Sequence, residues 1–296
     1  ARKFGTDILP VILHGTGDCI PKGEPFLKSG QINLSIQKRI NPEEYGQKLR
    51  DQAKNLRKLM REQYENMRRK YETPEYFKHQ LIANYIYKGP ILEHYTRVKI
   101  KSENYYRFFR EQCPSSGQIT DIGCGYGYMS QMLAYTSEDR KILGLDYDCD
   151  KIETARRNIS KPENARFQCA DVLEYNLPES DVFILADVLH YMPREKQETL
   201  IGKCRQKLKF DGKIIIRDGN SEMKKKHRTT RLSEFFSTRF LKFNKYKYGG
   251  LFFSSESEIR KTAEKYGMAI DIKDETKHTS NLIYILSQPK PQQNEL

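Results

Sequence analysis

The residues of this chain best suited to chemistry gather in one stretch, Asp121-Ile122-Gly123-Cys124-Gly125-Tyr126-Gly127, where an apolar strand gives way to a helix. Glycines at such a turn let the backbone come close to a ligand, because a Cβ would block the approach. A tight strand-to-helix turn also needs glycine on steric grounds alone, so the turn by itself leaves both readings open. Three later segments add to it. Leu145-Asp146-Tyr147-Asp148 ends the second strand about twenty residues on, where an acidic side chain in such folds accepts both hydroxyls of a ribose. Asp146 is the candidate for that role. Cys169-Ala170-Asp171-Val172-Leu173 ends the third strand, placing Asp171 to accept from an adenine amino group and Val172 to pack on the ring. Leu185-Ala186-Asp187-Val188-Leu189-His190-Tyr191 ends the fourth and puts Asp187 in the wall nearest the reacting atoms. Each Asp taken singly reads equally well as a helix cap. Four in register are harder to reconcile with capping alone.

The charge at the turn also narrows the ligand. A diphosphate-bearing dinucleotide suits a Gly-x-Gly-x-x-Gly turn whose amides face pyrophosphate at a helix N-terminus. Here an Asp opens the motif and the third Gly comes one residue early, which disfavours a dehydrogenase and suits a ligand with a cationic end.

Elements in alternation must hold these tips in place. Gln118 to Ile122, Lys141 to Leu145, Ala165 to Cys169, Asp181 to Ala186 and Lys213 to Arg217 read as strands. Helices are expected over Gly127 to Ala134, Lys151 to Ile159, Glu195 to Leu208 and Glu256 to Tyr266, with Ala269 to Ile272 and Leu282 to Leu286 as closing strands. The expected fold is α/β, a Rossmann-like doubly wound, mostly parallel, seven-stranded sheet. Ahead of it stands an appendage of short strands and turns and then a long amphipathic helix from Pro42 to about Lys70, started by Asn41-Pro42-Glu43-Glu44. The expected boundaries are 1–72 for the appendage, 73–288 for the α/β domain and 289–296 for a polar tail.

The 296 residues carry a net charge of +13 and no apolar run long enough to span a bilayer. Between Lys48 and Lys70 the long helix holds nine basic residues against three acidic ones, which reads either as a solvated face or as attraction to an anionic membrane surface. The six cysteines stand far apart without a Cys-x-x-Cys pair, so reduced thiols in a cytoplasmic compartment are expected rather than a disulfide frame, and no metal site is implied. The chain opens on Ala and shows no secretion signal, and a piece of something longer is expected.

The strand-end residues make the chain resemble the class I S-adenosylmethionine-dependent methyltransferases over roughly residues 75 to 287. The resemblance implies that Asp121 and the turn Gly123, Gly125 and Gly127 hold the methionine part of S-adenosyl-L-methionine. Asp146 with Tyr147 would take the ribose end, Asp171 and Val172 the adenine, and Asp187 would lie beside the sulfonium. His190, just beyond the fourth strand, is the candidate base for a hydroxyl acceptor, with a packing or capping histidine as the alternative. No Asn/Asp-Pro-Pro-Tyr and no Pro-Cys follows that strand, so methylation of base amines or of cytosine C5 recedes. O- or C-methylation of a small-molecule or lipid-like acceptor is favoured.

Gly219 to Ser255 is basic and aromatic together, from Lys224-Lys225-Lys226-His227-Arg228 through Phe235, Phe236, Phe240, Phe243, Tyr246, Tyr248, Phe252 and Phe253. It reads as a lid walling an acceptor pocket, as ordinary helix core with a solvated face, or as an RNA-binding surface, the last making an RNA-binding protein or RNA methyltransferase the runner-up. Tyr85, Tyr87, Tyr95, Tyr105 and Tyr106 could form the opposite wall. A second resemblance lies in Ile8 to Thr16, Ile20-Pro21-Lys22-Gly23, Gly30 to Leu34 and the basic helix, which look like the C-terminal end of lysophosphatidate-type glycerolipid acyltransferases. None of the six histidines begins that family's His-x4-Asp, so no acyl transfer is expected. The resemblance implies an acyltransferase–methyltransferase fusion working at the cytoplasmic face of a membrane.

Overall fold

A computed structural model describes residues 5–20, 27, 30–102, 105–160, 162–222, 247–274 and 281–289. It divides into two compact units, Ala1–Tyr76 and Phe77–Leu296.

In the first unit, β1 (Val11–His14) pairs antiparallel with β2 (Asn33–Ile36), a single helical turn α1 (Thr16–Cys19) follows β1, and α2 (Leu49–Tyr71) is the long helix. The ribbon alternates: Ile12 and His14 point inward, while Val11, Leu13, Leu34 and Ile36 are exposed. His14 is stacked on Tyr71 and hydrogen-bonds Glu72 at 3.1 Å, which Arg68 in turn grips at 2.9 Å. The helix does not run unbroken from Pro42. Asn41 accepts the Glu43 amide at 3.0 Å and caps a short 3-10 turn, Pro42–Tyr45. Gly46 then turns the chain at φ 137°, and the α-helix starts at Leu49. A cap and a proline start a helical turn but do not propagate it past a glycine in that conformation.

The helix α3 (Pro74–Ala83) begins in the first unit and continues into the second, where come α4 (Pro90–Ser102), α5 (Tyr105–Gln112), β3 (Gly117–Ile122), α6 (Tyr128–Tyr135), β4 (Arg140–Asp146), α7 (Cys149–Arg156) and β5 (Ala165–Cys169). They are followed by β6 (Ser180–Ala186), α8 (Arg194–Gln206), β7 (Leu208–Gly219), α9 (Glu256–Lys265), β8 (Ala269–Lys273) and β9 (Asn281–Ser287). The sheet is seven-stranded in the order β5-β4-β3-β6-β7-β9-β8. β3 to β7 are parallel, and β9 runs antiparallel to both β7 and β8. Central strands covered on both faces must be apolar almost throughout. Val182-Phe183-Ile184-Leu185 and Ile214-Ile215-Ile216 are, and all are buried. β4 lies on one side of β3 and β6 on the other, so the order of strands reverses at β3 and opens a crevice at the strands' carboxyl ends. The expected α/β fold is therefore the observed one. Among the described residues no helix is long and apolar enough to cross a membrane.

The cysteines depart from expectation. Cys149 and Cys169, twenty residues apart, are joined in a disulfide with their Cα atoms 5.0 Å apart. Distance along the chain misleads here because β4 and β5 are parallel neighbours whose ends coincide, Asp146 opposite Cys169. Most of the basic and aromatic stretch expected after β7, from Met223 through Tyr246, lies outside the described residues, as does the tail from 290 on.

Candidate active site

β3 delivers Asp121 to the crevice, and Gly123, Gly125 and Gly127 follow with φ of +71°, +55° and +80°. The three glycines differ in what requires them. A Cβ at Gly123 would collide with the Val188 side chain, and one at Gly127 with the Phe167 ring, whereas the nearest atom to a Cβ at Gly125 is Lys151 Cδ at 3.9 Å. The steric reading therefore holds for Gly123 and Gly127. Gly125 has open space before it and needs glycine for its backbone conformation. The turn is fastened by the Gly123 and Cys124 amides, which donate to Leu145 O at 2.7 and 3.0 Å.

The crevice is a cavity of about 360 Å³. Asp121, Gly123, Gly125, Asp146, Tyr147, Asp171, Val172 and Asp187 all face it. Gly127 and His190 do not: among the residues expected to form the site, these two lie behind its wall. Gly127 packs on Phe167 and Ala155 at the start of α6. His190 sits in a 3-10 turn, Leu189–Tyr191, where its side chain turns away from the crevice. It is 2% exposed, with Nδ1 2.6 Å from Asp218 Oδ1 and its backbone amide donating to Asp218 Oδ2 at 3.0 Å. Its ring stacks on Phe253 at 4.7 Å. Of the two readings of His190, base or packing residue, its burial and its bonds to Asp218 fit the second. The fold uses it to pin the turn to β7, and Tyr191 takes the place on the wall.

The carboxylates fall into two kinds. Asp121 is buried and accepts from Ser130 Oγ at 2.6 Å; burial raises its pKa to about 6 despite that bond, and the nearby Asp146 adds to the rise. Asp146 accepts from the Gly125 and Asp148 amides at 2.7 and 2.8 Å. Its pKa is also raised by burial, with Lys151 and the two amides working the other way. Asp171 accepts from the Leu173 amide at 3.0 Å and is ion-paired with Lys247. Partial burial raises its pKa, but the Lys247 bond, the Leu173 amide and the charges of Lys247 and Lys203 together outweigh this and hold the carboxyl below its ordinary range. Asp187 stands at φ 55°, paired with Arg217 and accepting from Asn281 Nδ2 at 3.2 Å. Arg217 is buried and lies over the Tyr105 ring, 4.1 Å from its centroid.

The remaining walls are aromatic. Tyr95, Tyr105 and Tyr106 face the cavity as expected, but Tyr85 and Tyr87 do not. The Tyr85 hydroxyl donates to Tyr126 O at 2.6 Å, and that of Tyr87 to Thr154 O at 3.1 Å. Sequence reasoning missed Lys151, which lines the cavity and whose pKa burial lowers, and Arg217 and Asp218, which hold Asp187 and His190. The signal was there: two opposite charges in succession at the end of the apolar run Ile214-Ile215-Ile216 call for a buried partner for each. Tyr248, named for the opposite side of the pocket, does line it.

Comparison with known proteins gives a consistent picture. Residues 115–269, just over half of the chain, match a family described as a methyltransferase domain. A carboxy-S-adenosyl-L-methionine synthase of Helicobacter pylori (strain G27) is 26% identical over 108 residues, which cover 36% of this chain and 45% of that protein. A malonyl-[acyl-carrier protein] O-methyltransferase of Acetivibrio thermocellus is 29% identical over 98 residues, 33% of this chain and 34% of its own length. The chain thus spans less than half the length of these curated relatives. Human N-acetylserotonin methyltransferase, solved in complex with SAM, shares the fold with a TM-score of 0.51 and 19% identity over 67% of this chain and 56% of its own.

Proposed function

The chain belongs to the methyltransferase-domain family, and on that premise we propose that it is a methyltransferase whose cavity binds S-adenosyl-L-methionine and directs methyl transfer to an oxygen or carbon of a small-molecule acceptor. The observation that carries this reading is the corner where Gly125 opens on the cavity beside Asp146 and Asp121. Each carboxylate oxygen has two lone pairs, and Asp146 uses one on each for a backbone amide. Those amides fix its orientation and leave acceptor capacity toward the cavity, which suits the two hydroxyls of a ribose. Asp171 and Val172 suit the adenine, and Asp121 lends negative charge at the corner where a cationic amino group would lie. Phosphates in that corner would meet carboxylates.

When bound, this cofactor supplies an electrophilic methyl group on a sulfonium. The chain's part is alignment and exclusion of water. Asp187 is held against Arg217 and Asn281, so it bounds the reacting end as one half of an ion pair and not as a free carboxylate. Tyr105, Tyr106, Tyr191, Met192 and Tyr248 wall the side away from the glycine turn, which suits a flat or lipid-like acceptor. The organisation into an acyltransferase-like appendage over 1–72 and a methyltransferase domain over 73–288 belongs to the same proposal. It is supported by the residue pattern of the appendage and by the separate compaction of Ala1–Tyr76.

Calorimetry with S-adenosylhomocysteine tests the reading. The chain should bind it, and Asp146→Ala should weaken binding by roughly ten- to a hundredfold, the worth of hydrogen bonds to a charged acceptor. Absence of binding at millimolar ligand, or unchanged affinity in the variant, would refute the placement.

A further inference from the structure

The strand tips around the cavity are not equally tethered. β4 and β5 separate after their last paired residues, Asp146 and Cys169, where one backbone bond remains, Ala170 N to Asp146 O at 2.9 Å. Immediately beyond lies the disulfide between Cys149, the first residue of α7, and Cys169, the last of β5. Both of its arms lead into the cavity wall. Asp146 and Tyr147 precede Cys149, and Ala170 and Asp171 follow Cys169. Between the wall and the bridge stands Asp148, which caps α7 through its side chain and whose amide orients Asp146 at 2.8 Å. The cross-link therefore holds in place the helix start that aims the Asp146 carboxylate.

The bridge is also where redox chemistry can reach. Cys149 is exposed and Cys169 half-buried. The free cysteines Cys19, Cys113 and Cys204 are buried. Burial raises the thiol pKa of Cys113 to about 12 and pushes those of Cys124 and Cys204 up as well, which keeps them protonated and poor partners for exchange.

We propose that the Cys149–Cys169 disulfide is a redox-controlled clasp on the cofactor end of the cavity, closed when oxidised and released by thiol reductants. The proposal rests on the reading that this cavity binds S-adenosyl-L-methionine. In the opening step a reductant thiolate attacks one sulfur, the S–S bond breaks and a mixed disulfide forms. A second reductant thiol displaces the protein, which is left with two thiols while the reductant departs as its own disulfide. Release lets the start of α7 and Tyr147 move, so that binding must order them again.

The experiment titrates S-adenosylhomocysteine by calorimetry into three samples of the full chain: oxidised, reduced with dithiothreitol, and reoxidised after removal of the reductant. Peptide mapping without reduction should show 149 and 169 linked in the first and third. Reduction should weaken binding about two- to tenfold, the cost of immobilising one side chain and its loop, and reoxidation should restore it. Cys149→Ser should bind like the reduced chain whether or not dithiothreitol is present, with its fold verified by circular dichroism. Equal affinity in oxidised and reduced chains overturns the clasp and leaves the cofactor reading standing. Binding by neither form overturns both. Free thiols at 149 and 169 in protein exposed to an oxidised thiol buffer also overturn the clasp.

Discussion

The inner and outer strand tips of one crevice, built from the same sequence pattern, reach different electrostatic ends. At the inner strands, β3 and β4, Asp121 accepts from a serine hydroxyl and Asp146 from two backbone amides, with the Lys151 cation also acting on Asp146, and burial raises both pKa values. At the flanking strands, β5 on one side and β6 on the other, Asp171 and Asp187 are each ion-paired, with Lys247 and Arg217. A strand ending in Asp therefore does not by itself make a ligand-binding carboxylate. The inner pair, costly to ionise, gains most from a hydrogen-bonding or cationic ligand, whereas Asp171 and Asp187 meet a ligand with one cation already in place. Neighbouring strands make the difference, since Arg217 reaches Asp187 because β7 lies beside β6 with Ala186 opposite Arg217.

Arg217→Met should break this contrast most severely. It strips a buried partner from Asp187, 20% exposed at the side chain, and should cost about 3–5 kcal/mol in urea denaturation. The double variant Arg217→Met/Asp187→Asn should recover most of that loss, because no uncompensated charge remains. If the single and double variants are equally unstable, the pair is not the unit described here.

The next effect concerns the inner strands, at Asp121. The folded-state pKa of Asp121, about 6, lies above the roughly 3.9 of an unfolded aspartate, so folding favours its protonated form. The stabilisation from this group is complete below about pH 4 and is lost as pH rises through about 6, on the order of 2–3 kcal/mol in all. Thermal melts of the wild type minus those of Asp121→Asn should show this slope over that window. S-adenosylhomocysteine affinity in the wild type should run the other way and fall below pH 6, as the carboxylate is neutralised. A flat difference curve would show that Asp121 is no more costly to ionise than Asp171.

Lys247→Met should do least. Its ammonium is 45% exposed, so the pair is worth under about 1 kcal/mol in stability. Asp171 should then titrate closer to an ordinary carboxylate, which NMR of its side chain would register. A larger loss of stability would place the inner and outer strand tips on the same footing after all.

Much of this architecture was legible from the chain. Apolar strand runs ending in Asp, each followed by a helical pattern, specify a parallel sheet and the place of its crevice. Asp146, the last residue of β4, and Asp171 and Val172, just past the end of β5, face the cavity because a chain leaving a parallel strand must cross the carboxyl-end edge. Gly123 faces the cavity and Gly127 does not, and both need glycine on the steric grounds that the sequence left open, since Val188 and Phe167, side chains of other strands and loops, press on them. His190 stayed open between base and packing residue because Asp218, 28 residues on, decides which way its ring points. The long helix was started too early because a local start signal carries no information about the glycine four residues later.

What the sequence determined by itself is whatever depends on a residue and its near neighbours: the alternation of strand and helix, the bare turn at 123–127, the carboxylates at strand ends. What only the tertiary structure decided is the company those groups keep. Arg217 beside Asp187, Asp218 beneath His190 and Cys149 bonded to Cys169 all join residues brought together by the order of strands in the sheet. A charge or a thiol acts according to what lies within a few ångströms of it, and that distance is set by packing across the fold and not by spacing along the chain.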